Sequence, residues 1–132
     1  MARAITGVVA GAVVWILIAT IGNLAVRAAL PRYAEVEAAM RFTAAMMMCR
    51  LLVGALSSLG AGWLTARITH QNGRAISVLS GLLILIFIPV HYALWEKFPL
   101  WYHIVFFASL AVMPVLGAKL NGPKVQERII AG

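Results

Sequence analysis

The fold is decided by an unbroken apolar run near the start of the chain, ITGVVAGAVVWILIATIGNLAV at positions 5–26. The run contains no Asp, Glu, Lys or Arg, and Arg3 and Arg27 stand on either side of it. The hydrocarbon layer of a bilayer is about 30 Å thick, so about 20 residues of helix cross it. Because a signal peptide has a shorter apolar core, we expect an uncleaved membrane-spanning helix here.

Three more apolar blocks follow, and short polar segments separate them. We predict an all-α integral membrane protein, a four-transmembrane-helix bundle that forms a single membrane domain. Pro31 ends the first helix, and the Asn72-Gly73 pair predicts a turn that tolerates positive φ. Glu37 and Arg41 stand four residues apart, which favours a second helix that has begun before the membrane is entered. The predicted helices cover 5–28, 38–66, 75–95 and 100–120.

Composition supports the same class of protein. Of the 132 residues, 63% are hydrophobic and 11% are charged, whereas soluble domains carry roughly 25% charged residues. The net charge of +7 comes from Lys and Arg that stand mostly at the edges of the apolar blocks. No basic helix face offers a surface for a phosphate backbone. We therefore expect the lipid bilayer, and no nucleic acid, as a partner.

The basic residues of the short loops also predict an orientation, because cytoplasmic loops carry an excess of Lys and Arg. Six fall on the side of the two termini and four on the other side. This excess predicts a multi-pass protein of the bacterial inner membrane with both termini in the cytoplasm. The six are Arg3, Arg67, Arg74, Lys119, Lys124 and Arg128, and the four are Arg27, Arg32, Arg41 and Lys97.

Small residues four apart let the backbones of membrane helices approach each other. Each of the first three predicted helices has such a set, which predicts a compact bundle and contacts with further copies or with a larger membrane complex. These residues are Gly7 and Gly11, then Gly54, Ser58 and Gly62, then Ser77 and Gly81.

Arg50 is a permanently charged residue that is placed within an apolar block. A charge at the centre of a membrane helix costs about 2.5–3.5 kcal/mol on insertion scales. At helical spacing it shares a face with small or polar residues, so it is expected to point towards other helices. One reading is an anion site or a gating charge. The other is a guanidinium that reaches the nearer interface or pairs with helix ends. The residues of that face are Thr43, Gly54, Ser57 and Ala61.

His91 and His103 flank the short turn between the third and fourth predicted helices, so we expect them at a similar depth. Facing imidazoles could bind a metal, a haem or a pigment, or relay protons. The surrounding Tyr92, Trp95, Trp101 and Tyr102 are also typical of an interfacial aromatic belt, in which histidines are solvated. Because two histidines fall short of a closed metal site, no metal and no cofactor are expected.

Several polar residues fall towards the same side of the predicted bundle. They predict a small polar pocket that opens to the non-cytoplasmic side. The candidate pocket residues are Arg50, His91, His103, Asn23 and Glu96.

In size and helix number the chain resembles several families of small four-helix membrane proteins, but it matches no motif of theirs. The small multidrug-resistance transporters use a Glu in the first helix, and the first apolar run has no acid. Fluoride channels have a Gly-rich, Thr/Phe-rich signature in their later helices, which is missing. Quinone-linked thiol oxidoreductases need paired cysteines, and the chain has only Cys49.

Three functions follow as hypotheses. The first is a non-catalytic accessory or assembly subunit that acts through helix–helix contacts. The second is an oligomeric transporter or channel for a small anionic solute, using Arg50. The third is a redox subunit that holds a cofactor at His91 and His103. All four acids (Glu35, Glu37, Glu96 and Glu127) fall in predicted loops or the tail, so paired acid–base chemistry lacks its groups and no enzymatic activity is expected.

Overall fold

The computed structural model describes residues 1–30, 32–39 and 42–121. Within these ranges 86% of the residues are helical and no strand is present. Four of the five helices, all except α2, are long and apolar enough to cross a membrane. The prediction of an all-α, four-transmembrane-helix bundle is confirmed. The helices are α1 (Ala2–Ala29), α2 (Tyr33–Ala39), α3 (Ala44–Thr69), α4 (Gly73–Ala93) and α5 (Leu100–Lys119).

Helix α3 is the centre of the bundle. It packs along α1 on one side and along α5 on the other, and α4 closes the bundle against α5 and α1. The short helix α2 rests on α1. One end of the bundle therefore holds α2, the start of α3 and the α4–α5 turn. We call this the α2 end, and the opposite end holds Met1, the α3–α4 turn and the end of α5.

Close contacts between helices explain three of the seven predicted packing residues. Thr65 Oγ1 donates a hydrogen bond of 2.9 Å to the carbonyl oxygen of Gly7, and a Cβ atom at Gly11 would overlap the Thr65 hydroxyl. A Cβ atom at Gly62 would overlap the backbone of Pro114 in α5. Helices α1 and α5 therefore approach opposite sides of α3 at positions where only small residues fit.

The other predicted packing residues divide into two groups. Gly54 lies against the Phe106 ring, with 3.2 Å from a Cβ position to Cε2, and the Ser58 hydroxyl accepts a hydrogen bond of 2.9 Å from Trp15 Nε1. Ser77 and Gly81 instead face outward from α4, with no atom within 4 Å of a Cβ position at Gly81. They do not contribute to packing within the bundle.

One close approach of two helix backbones was not predicted. A Cβ atom at Gly117 would overlap the backbone of Leu59, so this glycine lets α5 approach α3 one turn beyond Pro114. Gly117 has no small residue four positions away within the predicted helix that would have marked it, because position 113 is Met and position 121 is Asn.

The second membrane helix begins later than the predicted residue 38. It starts at Ala44, and the Thr43 side chain caps it by accepting a hydrogen bond of 3.3 Å from the Met46 amide. Residues 33–39 form the separate helix α2. Glu37 accepts two hydrogen bonds, of 2.7 and 2.9 Å, from Arg27 at the end of α1. Its predicted partner Arg41 lies outside the described residues.

The α3–α4 turn also differs in detail from the prediction. Positive φ occurs at His70 (53°) and Gln71 (67°), while Gly73 is the first residue of α4. The Asn72 side chain caps α4 by accepting hydrogen bonds from the amides of Arg74 and Ala75. Asn72 therefore acts as a helix cap, and the left-handed backbone that ends α3 comes two residues earlier.

Candidate functional site

Arg50 is held in a box of four aromatic side chains near the α2 end. Its Nη1 donates a hydrogen bond of 3.0 Å to the Tyr33 hydroxyl, and its Nε donates one of 3.3 Å to the Tyr102 hydroxyl. Its Cζ atom lies 4.8 Å from the centre of the Phe42 ring and 5.9 Å from that of Phe98. These four side chains come from α2, the α2–α3 connection, the α4–α5 turn and α5, so Arg50 of α3 joins all four segments at this end.

Within the described ranges no carboxylate lies within salt-bridge distance of this guanidinium, although the charge of Glu37 acts on it from farther away. The ion pair found there joins Arg27 to Glu37. A guanidinium carries five N–H donors, and the described residues provide acceptors for two of those of Arg50. The aromatic faces offset part of the cost of the charge, because a cation over a ring is attracted by the ring quadrupole. Arg50 thus keeps both hydrogen-bonding capacity and net charge for a further partner.

A cavity of about 180 Å³ lies beside Arg50, between α1, α3, α4 and α5. Its polar lining includes Arg50, Asn23 of α1 and Tyr102 of α5. Much of the remaining wall is aromatic. Trp15, Phe87 and Phe106 line this part. Such a wall lowers the local dielectric and strengthens any charge interaction inside the cavity.

His91 and His103 form a direct pair behind this wall. Their Nδ1 atoms are 2.6 Å apart, and both residues are buried, with exposed fractions of 5% and 2%. His103 Nε2 lies 3.3 Å from the carbonyl oxygen of Trp95. The His91 ring packs 4.5 Å from the Phe106 ring and is stacked on Tyr102 at 6.0 Å, measured between ring centres. Both histidines therefore lie inside the bundle rather than in a solvated belt.

The structure brings most of the predicted pocket residues together, although not into one pocket. Arg50 and Asn23 line the same cavity, and the histidine pair lies behind its aromatic wall. Glu96 is exposed and lines a separate depression at the surface of the α4–α5 turn, with Trp95 and Lys97.

The partners of Arg50 were not predicted from the sequence. Tyr33 and Phe98 lie in connections between the predicted helices, Phe42 falls within the predicted second helix, and Tyr102 is predicted to belong to an interfacial belt. A signal was present in the aromatic residues of 33–42 and 95–102. Hydropathy does not show which of them turn inward, because an aromatic belt has the same composition.

The geometry of the histidine pair is that of a hydrogen bond. Two nitrogens that bind one metal at about 2.0–2.1 Å in tetrahedral or square geometry must stand farther apart than the 2.6 Å seen here. Within the described residues no group of three or more His, Cys, Asp or Glu side chains is placed to hold a metal ion. The chemistry that this site offers is proton exchange at the imidazoles and charge-assisted hydrogen bonding at Arg50.

Comparison with protein-family models, curated proteins and solved structures finds no match to this chain. The function is therefore argued from the geometry of the site.

Proposed function

We propose that this protein binds a small anion at Arg50 and takes part in the movement of small anionic solutes across a membrane. The observation that carries the proposal is a partly buried guanidinium on a cavity wall with no carboxylate partner among the described residues. Arg50 lies six residues into α3, about 9 Å along the helix axis from its start. An ionisable side chain at such a depth commonly marks an ion or substrate pathway.

The chemistry of the cavity favours a small anion. The remaining N–H groups of Arg50 and the amide of Asn23 are donors, and the cavity volume of about 180 Å³ fits a compact ligand. None of the described residues that line the cavity is acidic, so a cation finds no compensating charge among them. The aromatic walls supply a dry environment in which an anion and Arg50 attract each other strongly.

In the other half of the bundle, α3 packs tightly against two of its neighbours. The contacts of Gly11 with Thr65 and of Gly62 with Pro114 leave no space between α3 and either α1 or α5. An anion that enters from the α2 end can cross only if the helices move or if a second copy completes the path. We therefore propose that the active form is a homo-oligomer.

Flux measurements in liposomes test this proposal. The probes are chloride, nitrate and formate, and the compared proteins are the wild type, Arg50→Gln and Arg67→Gln. Arg67 is the matched control because it is exposed, lies over Trp63 and belongs to the opposite end of the same helix. We expect flux of at least one anion that falls by about tenfold or more in Arg50→Gln, the loss expected when a charged hydrogen bond is removed. Equal flux in the two variants, or no flux of any probe, contradicts the proposal.

A second candidate function is that of a non-catalytic accessory subunit. The outward position of Ser77 and Gly81 favours it, because this small-residue face of α4 is free within the described part of the chain and a partner helix could approach it closely. Gly81→Leu should then abolish co-purification of a stoichiometric membrane partner. Retention of the partner by this variant would remove the candidate.

We further propose the bacterial inner membrane as the location, with both termini in the cytoplasm. At the end opposite α2, the described residues include Arg3, Arg67, Arg74 and Lys119 and no acidic residue. The α2 end holds the three described glutamates. The support for the orientation is the count of Lys and Arg in the loops, six on the side of the termini against four on the other in the full sequence, because these residues are retained on the cytoplasmic side.

A further inference from the structure

The contact between the two buried histidines fixes where their protons lie. A carbonyl oxygen only accepts hydrogen bonds, so the contact of His103 Nε2 with the Trp95 carbonyl places a proton on that nitrogen. In a neutral His103 the Nδ1 atom then carries a lone pair, and His91 Nδ1–H donates to it across 2.6 Å. His91 Nε2 is left unprotonated, and it is the atom at which the neutral pair accepts a proton.

We propose that His91 and His103 form a single proton-binding site, and that a proton binds there together with the anion at Arg50. The first step is an addition in which a hydronium ion transfers its proton to the lone pair of His91 Nε2 and leaves a water molecule. The charge of the pair rises from zero to plus one, and the Nδ1–H···Nδ1 hydrogen bond is kept. A second proton would place an N–H group on both facing Nδ1 atoms, which breaks the 2.6 Å contact. The pair therefore takes one proton.

The proton site and the anion site share their walls. The Tyr102 hydroxyl accepts a hydrogen bond from Arg50, and the same ring is stacked on His91. Phe87 and Phe106 line the cavity on one side and pack on the His91 ring on the other, at 6.4 and 4.5 Å between ring centres. A charge on the histidine pair is thus separated from the cavity by single aromatic rings.

The charges around the pair make the two binding events favour each other. The charged or titratable side chains around Arg50 and the cavity are Arg50 itself from α3, Tyr33 from α2 and Tyr102 from α5. Helix α1 contributes Asn23, which is uncharged. Within the described residues no carboxylate bonds to Arg50 or to either histidine. A second positive charge beside Arg50 is costly at low dielectric, and an anion in the cavity offsets that cost. This coupling depends on the proposed anion site, whereas the one-proton property of the pair does not.

The one-proton property is tested by ¹⁵N NMR of histidine-labelled protein in detergent during a pH titration. His70, which is exposed in the α3–α4 turn, serves as the internal reference. We expect His91 and His103 to take up one proton between them while the Nδ1–H···Nδ1 signal persists. Two independent single-proton transitions at these residues would overturn the proposal.

The coupling to Arg50 is tested by the same titration on variants. Arg50→Gln removes the neighbouring positive charge, so the midpoint of proton uptake should move up by about one pH unit. Arg50→Lys keeps the charge and should stay close to the wild type, as should Arg67→Gln at the far end of α3. An unchanged midpoint in Arg50→Gln overturns the coupling.

A measurement on the wild-type protein tests the coupling without depending on whether the variants fold. In sodium nitrate the midpoint should lie higher than in sodium gluconate, whose bulkier, polyhydroxylated anion fits an aromatic-walled cavity less well. A midpoint that is the same in both salts contradicts co-binding of proton and anion. Since the pH midpoints are read without any transport, a failed flux assay and a failed proton coupling are distinguishable.

Discussion

Arg50 shows how a bundle with few charges can keep a cation inside the membrane. Two tyrosine hydroxyls accept from it and two phenylalanine rings lie against it, so it is oriented without being neutralised. A carboxylate in the same place would hold the side chain more tightly but would also cancel its charge. An aromatic box is therefore the arrangement expected where the charge has to remain available to a ligand.

The Tyr33 hydroxyl should contribute measurably to stability. Tyr33 is fully buried, and Tyr33→Phe leaves the Arg50 Nη1 donor without its acceptor. We expect a loss of about 1–3 kcal/mol in the free energy of unfolding, the range for hydrogen bonds to charged groups. The measurement is equilibrium unfolding in mixed micelles. Tyr92→Phe is the control because Tyr92 is 84% exposed, and equal losses in the two variants would contradict the role given to Tyr33.

At the scale of elements, α1, α3, α4 and α5 were predictable because each has to cover the hydrocarbon layer with apolar residues. The start of α3 was not, since apolar and polar residues alternate through 33–43 without a clear break. Whether residues before α3 form a separate short helix depends on tertiary contacts, here Arg27 with Glu37 and Arg50 with Tyr33. Arg50 and Asn23 could be assigned to one pocket from sequence, whereas the partners contributed by α2 and the connections could not.

The contact between α3 and α5 predicts opposite results for two glycines. Gly62→Ala places a Cβ atom against the backbone of Pro114, and a buried backbone cannot give way as a side chain can. We expect a loss of about 1–3 kcal/mol in unfolding free energy, as for an overpacked core. Gly81→Ala meets open space and should leave stability unchanged or raise it by up to about 1 kcal/mol through helix propensity. Thermal unfolding of both variants in one detergent tests this prediction. Similar losses of stability in the two variants would contradict it.

Helix α2 is tied to α1 by an ion pair whose strength depends on pH. The hydrogen bond from Arg27 holds the pKa of the Glu37 carboxyl below its ordinary value. A lowered pKa means that the ionised form stabilises the folded state, so this contribution is complete above the ordinary glutamate pKa and is lost as pH falls through the lowered one. Both side chains are partly exposed, which keeps the effect modest.

Carboxyl ¹³C NMR tests the Arg27–Glu37 ion pair directly. Glu37 should titrate at lower pH in the wild type than in Arg27→Gln, where its partner is gone. The amides of α2 should lose protection from hydrogen exchange over the same pH interval in the wild type alone. If the Glu37 titration is the same with and without Arg27, the ion pair does not form in solution.

At the scale of the whole molecule, the distribution of charge separates the two ends of the bundle. The described part of the end opposite α2 is basic without any acid, and the α2 end combines its basic residues with three glutamates. The candidate site lies at the less basic end, near the start of α3. If the basic end is cytoplasmic, the anion site faces the other side of the membrane, so the orientation decides from which compartment an anion is taken up.

Cysteine labelling of intact cells tests that orientation. In a Cys49→Ser background, Glu96→Cys in the α4–α5 turn should react with a membrane-impermeant maleimide. Gly73→Cys at the start of α4, where an added Cβ atom meets nothing within 4 Å, should stay unlabelled. Both positions should react after the membrane is permeabilised, which shows that each thiol is accessible. The reverse pattern would place the histidine pair and Arg50 at the cytoplasmic side. The proton that we assign to His91 and the anion at Arg50 would then both come from the cytoplasm.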